Sequence, residues 1–331
     1  MSNKEPICIA IAGATGVVGQ TIVRVLEERR FPVSGYIPIA TEASSGADVE
    51  AFGRAWPVQT PAEVDFTGTD IAFFTAGAPL SKKLVPRAIE QGCRVVDNTT
   101  AFRMEKEVPL VVPEINGSLV KPDTKLVACP NCTAIVLVMS LAPILRAAPI
   151  HRVVVTSFQS VSGAGREALS ELDRQTVADT RHEETEIKAL PKQIAFNCIP
   201  LIGDTRASGY TKEEEKITEE TQKILEQPGL HVVPTAVRVP TRVGHALSVN
   251  VELGGPLDIE GARKLWKHAP GVEYTDDIPT PLDVAGDDTV VVGRLRRDLT
   301  RPHALTYWAV GDNLRKGAAT NSVQIAELFS Q

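Results

Sequence analysis

The sequence has no apolar stretch long enough to cross a bilayer: its longest apolar run, residues 134–145, is too short and contains Pro143. It also has no basic run. The 35 Lys and Arg against 41 Asp and Glu leave a net charge of −6, which argues against a nucleic-acid partner. Cysteines are few and odd in number, five in all, and the polar opening Met-Ser-Asn-Lys-Glu-Pro lacks the apolar core of a secretory signal. The expectation is a soluble cytoplasmic chain whose thiols stay reduced. No second C-x-x-C pair or histidine cluster accompanies Cys129 and Cys132, so a metal site is not expected. Internal repeats, low-complexity tracts and disordered linkers are absent as well. What remains, 43% hydrophobic and 23% charged residues in a chain of 331, is an ordinary folded composition long enough for two domains.

One stretch organises the rest. Ala128-Cys-Pro-Asn-Cys-Thr133 leads into the apolar, helix-compatible run that follows, and this places Cys132 in the first turn of a helix. Unpaired N–H groups and the positive dipole end at such a position favour a thiolate. A lone cysteine is more often a buried structural residue, so position alone does not make Cys132 a nucleophile.

The N-terminal part reads as alternating strands and helices. An apolar run over 7–12 ends in Gly13-Ala-Thr-Gly-Val-Val-Gly19, and residues 20–30 read as a helix. Strand, glycine turn and helix in that order form the context in which glycines permit close approach of a pyrophosphate to a helix N-terminus. A second strand over 36–40 leads to the loop 41–46, where an adenine ribose would sit. Strands over 71–76 and 94–97 flank a helix over 80–91, which indicates a parallel doubly wound sheet. Asn98 to Arg103 leaves the carboxyl end of the last of these strands, making Arg103 a candidate anion ligand.

Beyond Cys132 the texture changes. A β-rich segment over 151–159 ends at Gln159 and is followed by a small-residue turn and a helix over 166–180. Thr211-Lys-Glu-Glu214 reads as a capping box opening a charged helix to about residue 225. Glu213 and Lys216 share a face of it and, on spacing alone, read as a solvated ion pair. Segments 232–239 and 246–253 read as paired strands with Arg238 and His245 at their junction. The second alternates Leu247, Val249, Val251 and Leu253 with polar residues, as a strand with one buried face does. Strands over 289–295 and 304–310 extend the sheet, and a helix over 318–329 closes the chain.

Cys132, Gln159, Arg238 and His245, joined to a dinucleotide fold, define one reaction class. A thiolate adds to an aldehyde, the adduct loses hydride to a nicotinamide, and a thioester remains. A histidine handles the protons, and a fork-shaped arginine suits a substrate carboxylate.

At this point the sequence resembles the aspartate-semialdehyde dehydrogenases. The motifs are GATGVVG (13–19), DNTTAFR (97–103), VPLVVPEIN (108–116), PNCTAI (130–135), SFQSVSGAG (157–165), AFN (195–197), RVP…GH (238–245) and DNLRKGAATNSVQIAE (312–327). The resemblance implies Cys132 as nucleophile, His245 as acid/base residue and Gln159 as the glutamine orienting the substrate near the thiol. It implies Arg238 on the substrate α-carboxylate, Glu213 on its amino group, and Arg103, Asn131 and Lys216 on phosphate. Nucleotide contacts are implied for Gly13, Thr15, Gly16, Val17, Val18, Thr41, Ser44, Ser162, Gly163 and Asn313. The expected reaction is NADPH-dependent reduction of aspartyl 4-phosphate to aspartate semialdehyde and phosphate, leading to lysine, threonine and methionine, by a homodimer or dimer of dimers. The expected fold is α/β. A Rossmann-type doubly wound parallel sheet takes residues 1–131 with 313–331, and an α+β catalytic and dimerisation domain with a mixed or antiparallel sheet takes 132–312. The alternatives are an N-acetylglutamyl-phosphate or malonyl-CoA type reductase, or a non-catalytic paralogue that binds nucleotide.

Two positions depart from the family pattern. Cys129 replaces the first asparagine of N-P-N-C and reads as a tolerated small residue. The ribose loop, often S-x-R-S-A-G, here has Ala43 in place of the arginine and Glu42 beside it, which leaves NAD use open beside NADP. Comparison of kcat/KM with the two cofactors checks this. Without the arginine the preference for NADP is expected to be weak, and a strong one would show that the loop's hydroxyls bind the 2′-phosphate unaided.

Overall fold

The computed structural model describes residues 6–42 and 46–329. Their contacts divide the chain into two units, 1–130 with 318–331 and 131–317. No helix among the described residues is long and apolar enough to cross a membrane.

The first unit is a five-stranded parallel sheet with the order β2-β1-β5-β6-β7. Its elements are β1 (Ile7–Ala12), α1 (Val17–Glu28), β2 (Val33–Ile39), the hairpin β3 (Asp48–Ala51) and β4 (Arg54–Pro57), β5 (Ile71–Phe74), α2 (Ala78–Glu90), β6 (Arg94–Asp97), the single turn α3 (Pro113–Asn116) and β7 (Leu126–Ala128). The C-terminal helix Thr320–Leu328 also belongs to this unit. Strands buried on both faces read as continuous apolar runs, and β5 (Ile-Ala-Phe-Phe) is buried at every position. Ala72, Phe74, Leu84, Val85, Ala88 and Val95 pack into one core, which ties α2 to the sheet. This is the expected Rossmann-type sheet, with its first crossover at the glycine turn.

At two positions that turn admits nothing larger than glycine. Gly13 has φ +94°, and a Cβ there would lie 2.4 Å from Thr75 Oγ1. A Cβ on Gly19 would lie 2.2 Å from the Gly13 carbonyl oxygen. The N-terminus of α1, with Gly16 as its N-cap, carries no side-chain cap.

The second unit is built on a six-stranded mixed sheet. Its elements are α4 (Cys132–Leu145), β8 (Ile150–Gln159), α5 (Arg166–Thr180), α6 (Lys212–Ile224), β9 (His231–Arg238), β10 (His245–Leu253), α7 (Ile259–Lys267), β11 (Val272–Tyr274), β12 (Val290–Arg297) and β13 (Ala304–Gly311), with the sheet order β11-β12-β13-β10-β8-β9. Helix α4 is buried from Thr133 to Ile144 on all its faces, which explains why it shows an apolar run and no amphipathic period. It is pinned at mid-length, where the Trp266 indole N–H donates to the Ser140 carbonyl at 2.8 Å and Ser140 Oγ lies 3.0 Å from the Tyr307 hydroxyl. Along β10, Leu247, Val249, Val251 and Leu253 are buried and the intervening polar residues half-buried, as their alternation requires.

One pairing differs from the sequence reading. Segments 232–239 and 246–253 are not neighbours, because β8 lies between them, parallel to β9 and antiparallel to β10. Residues 239–244 cross the end of β8 instead of forming a hairpin. Their backbone is tied across it: Val239 N–H donates to the Gln159 carbonyl at 3.0 Å, and Val161 N–H to that of Thr241 at 2.8 Å. The crossing brings the ends of three adjacent strands together, with Gln159 opposite Arg238 and His245 one position beyond the Ala246–Phe158 pair.

Candidate active site

The second unit gathers most of the candidate side chains at the N-terminus of α4. Asn131 is the N-cap: its Oδ1 accepts from the N–H groups of Thr133 at 2.9 Å and Ala134 at 3.2 Å. Cys132 is therefore the first residue of the helix, half-buried, with its Sγ 3.2 Å from His245 Nε2. Gly317 backs it so closely that a Cβ there would lie 2.9 Å from Cys132 Cβ.

His245 has no exposed surface. On the side away from the thiol, its Nδ1 lies 3.2 Å from both the N–H and the Oγ of Ser160. Burial is the main reason its pKa falls from the usual 6.5 to about 3; Arg238 pulls the same way, against Glu213 and the backbone of Gly244. The resting ring is neutral at physiological pH.

Glu213 and Lys216 form an ion pair at 2.6 Å, but not the solvated one their spacing suggests. The first turn of α6 faces inward, and the Glu213 side chain is only 8% exposed. Its Oε1 accepts from Asn131 Nδ2 at 2.9 Å and Gln159 Nε2 at 3.4 Å. Burial pushes this carboxyl's pKa up, but Lys216, Asn131 and Gln159 together outweigh it and hold it below its ordinary value. Arg238 is buried as well; its Nη1 donates to the Ser160 carbonyl at 2.8 Å, and burial draws its pKa down against the pull of Cys132 and Glu213. A Cβ on Gly163 would lie 3.1 Å from Arg238 Nη1 and 3.5 Å from His245 Cε1, so that glycine lies against both side chains.

Asn313 and Ser162, expected at the cofactor, are turned into this unit. Asn313 Oδ1 accepts from Ser160 Oγ at 2.9 Å and from Gly244 N–H at 2.9 Å, and its Nδ2 donates to Ser162 Oγ at 2.9 Å. Residues 313–317 cluster with the second unit.

Two residues escaped the sequence reading. Glu220 is buried and its Oε2 accepts the Asn131 N–H at 2.6 Å, holding the cap from behind. Its position seven residues after Glu213, on the same helical face, was the available signal. Ser160 directly follows Gln159, but nothing in its spacing marks it as a histidine partner.

The remaining candidates lie in the first unit. Gly13, Thr15, Gly16, Val17 and Val18 form the glycine turn and the start of α1. Thr41, the first residue of the ribose loop, is exposed, and Ser44 falls outside the described residues. Arg103 is buried beyond β6, with Nη2 donating to the Asn98 carbonyl at 2.7 Å. Cys129 is fully buried, with Asn321 Nδ2 donating to its sulfur at 3.4 Å.

Comparison with known proteins decides the family. Residues 8–122 match the family described as semialdehyde dehydrogenase, NAD binding domain, and residues 141–316 match semialdehyde dehydrogenase, dimerisation domain. A protein of Legionella pneumophila called aspartate-semialdehyde dehydrogenase is 44% identical over 98% of this chain and 95% of its own. The chain belongs to the aspartate-semialdehyde dehydrogenase family. One of Bacillus subtilis bearing the same name is 42% identical over 96% of each chain. The crystal structure of aspartate semialdehyde dehydrogenase II from Vibrio cholerae superposes with a TM-score of 0.95 at 44% identity, covering 98% of both chains, and the same enzyme has been solved complexed with ASA. The chain is thus an oxidoreductase with a nicotinamide-nucleotide-binding domain.

The state of His245 has a consequence for stability. In the unfolded chain the ring takes a proton near pH 6.5, in the folded one only near pH 3. The unfolded state therefore binds more protons in between, and this contribution to stability is present above pH 6.5 and is lost as the pH falls toward 3. His245→Gln removes the titration, so its melting temperature is expected to fall less steeply than the parent's from pH 7 to about 4.5. A buffer series of thermal melts checks this; parallel curves would contradict it.

Proposed function

We propose that the chain reduces L-aspartyl 4-phosphate with NADPH to L-aspartate 4-semialdehyde and phosphate, through a thioester on Cys132. The observation that carries the reading is the 3.2 Å contact of Cys132 Sγ with His245 Nε2 at the first turn of a buried helix. A thiolate there is favoured by the helix N-terminus and has a proton carrier in direct contact.

The glycine turn suits a dinucleotide, because Gly13 and Gly19 let the turn pack closely between β1 and α1, and α1 opens without a side-chain cap. Gly13, Thr15, Gly16, Val17 and Val18 would hold the pyrophosphate, and Thr41 and Ser44 the ribose. When bound, NADPH supplies the hydride that reduces the thioester carbon. The chain's own residues do the rest. Cys132 attacks the acyl carbon; the carbon–sulfur bond forms, the carbon–oxygen bond to phosphate breaks, and phosphate leaves. After reduction, His245 Nε2 protonates the oxygen of the thiohemiacetal. It takes that proton back as the carbon–sulfur bond breaks, and the aldehyde departs from a restored Cys132 thiolate. Gln159, beside Glu213 and one residue before Ser160, orients the acyl group.

Substrate choice follows from the charges. Arg238 spends one of its five N–H groups on Ser160 and keeps others for an α-carboxylate. Glu213, buried and held as a carboxylate, suits a free ammonium group. An acetylated amine or a malonyl group offers no such cation, which disfavours the related N-acetylglutamyl-phosphate and malonyl-CoA reductions. Lys216 provides positive charge for phosphate, and Arg103 remains a candidate anion ligand in the first unit. Asn131 serves phosphate indirectly in this reading, since its side chain caps α4 and steadies Glu213. We read the assembly as a homodimer or dimer of dimers formed by the second unit. The half-buried alternate positions of its sheet, including Val154, Thr156, Ser248 and Asn250, offer a face for a second copy.

Phosphate-dependent reduction of NADP or NAD with aspartate semialdehyde tests the reading. Cys132→Ser is expected to lose at least about a thousandfold in kcat while still binding nucleotide, and Cys129→Ala to keep activity near the parent's. A folded parent enzyme without turnover on either cofactor, or an inactive Cys129→Ala beside a normal Cys132→Ser, would overturn it.

A further inference from the structure

A histidine that shuttles a proton at Nε2 must keep its other proton on Nδ1, and that proton needs an acceptor. In many sites the acceptor is a carboxylate. Around His245 the charged and titratable groups are Cys132 from α4, Glu213 from α6 and Arg238 from β9. Nδ1 itself faces Ser160, which offers a backbone N–H and a hydroxyl, both at 3.2 Å. The two partners make opposite demands. With the proton on Nε2, Nδ1 accepts from the Ser160 N–H, and the ring cannot take a proton from the thiol. With the proton on Nδ1, the ring needs an acceptor there, and only an Oγ whose own hydrogen points elsewhere can serve.

Asn313 meets that condition. Its Oδ1, 2.9 Å from Ser160 Oγ, takes the hydroxyl proton and leaves the oxygen's lone pairs toward Nδ1. The same Oδ1 holds the N–H of Gly244, the residue preceding His245, at 2.9 Å. Gly244 has φ +88°, and a Cβ there would lie 2.6 Å from the Pro281 carbonyl oxygen, so the backbone entering β10 has little room to adjust. The Gly244 N–H can only donate, so it fixes which way the amide faces, and Ser162 Oγ, 2.9 Å from Asn313 Nδ2 and 3.2 Å from its Oδ1, accepts from the amide on the other side. Ser160, Ser162, Asn313 and His245 are all at most 3% exposed, so no bulk water substitutes for these bonds.

We propose that Ser160, oriented by Asn313, is the positioning residue that accepts the Nδ1 proton of His245 and so frees Nε2 to exchange protons with Cys132 and the substrate oxygen. The neutral hydroxyl holds the ring in its working tautomer and, unlike a carboxylate, adds no charge behind it. Asn313 then acts on the histidine whether or not it also touches the nucleotide. The inference rests on the reading of His245 as the proton carrier.

The pH dependence of kcat for aspartate semialdehyde oxidation tests it in the parent, Ser160→Ala, Ser160→Thr and Asn313→Ala. Loss of the acceptor disfavours every ring form bearing a proton on Nδ1. Ser160→Ala is therefore expected to lower kcat about tenfold and to move the limb reporting His245 to lower pH, with KM for NADP unchanged. Ser160→Thr, which keeps the hydroxyl, restores both, and Asn313→Ala gives the same shift as Ser160→Ala. A parent-like profile in Ser160→Ala, or an Asn313→Ala variant altered only in KM for NADP, overturns the proposal. The rate of Cys132 alkylation by iodoacetamide against pH reads the same pair without turnover. A limb moved to higher pH in Ser160→Ala supports the proposal, and coincident limbs refute it. An inactive parent with a displaced alkylation limb would count against the substrate and not against Ser160.

Discussion

The second unit depends on how the first turn of α4 is held. The four leading N–H groups of a helix have no partners within it, and a buried helix cannot leave them to water. Asn131 answers two of them through Oδ1, and its own N–H is taken by Glu220. Its remaining polar end reaches Glu213. One asparagine thus closes the helix, joins it to α6 and sets the orientation of the cysteine that follows. The apolar body of the helix, buried throughout and pinned through Ser140 by Trp266 and Tyr307, keeps that end from shifting.

A second constraint comes from the sheet. Because residues 239–244 pass across the end of β8, Arg238, Gln159 and His245 arrive on three neighbouring strand ends, fixed by backbone pairing and not by loops. Rigid elements position reacting groups more closely than loops do. Charge is balanced within the same small volume. Glu213 is held ionised by Lys216 and two amides, Arg238 stands against it, and His245 is kept neutral until a reacting oxygen or sulfur gives it a reason to take a proton.

Much of this could be read in the chain before any coordinates. The parallel sheet followed from alternating strand and helix patterns, and the glycine turn from its place between them. Cys132 at a helix start and the Thr211–Glu214 capping box needed only local rules, and both stand in the structure. What local rules miss is strand order. A six-residue link between two β segments reads as a hairpin, and only the long-range pairing of β8 with both shows otherwise. The environment of Lys216 and Glu213 was hidden for the same reason, since spacing along a helix shows which residues share a face but not which way that face turns. Glu220 and Ser160 act through a backbone N–H and a ring nitrogen more than eighty residues away in sequence, a kind of partnership that no short motif encodes.

The claim on which everything else rests is that Cys132 carries the acyl group. Incubation of the parent enzyme with aspartate semialdehyde and NADP in the absence of phosphate, followed by acid quench and peptide mass analysis, tests it directly. The account predicts an aspartyl adduct on the peptide's Cys132 that vanishes when phosphate is added before the quench. Turnover with no adduct at any cysteine, or an adduct on Cys129 instead, would contradict it.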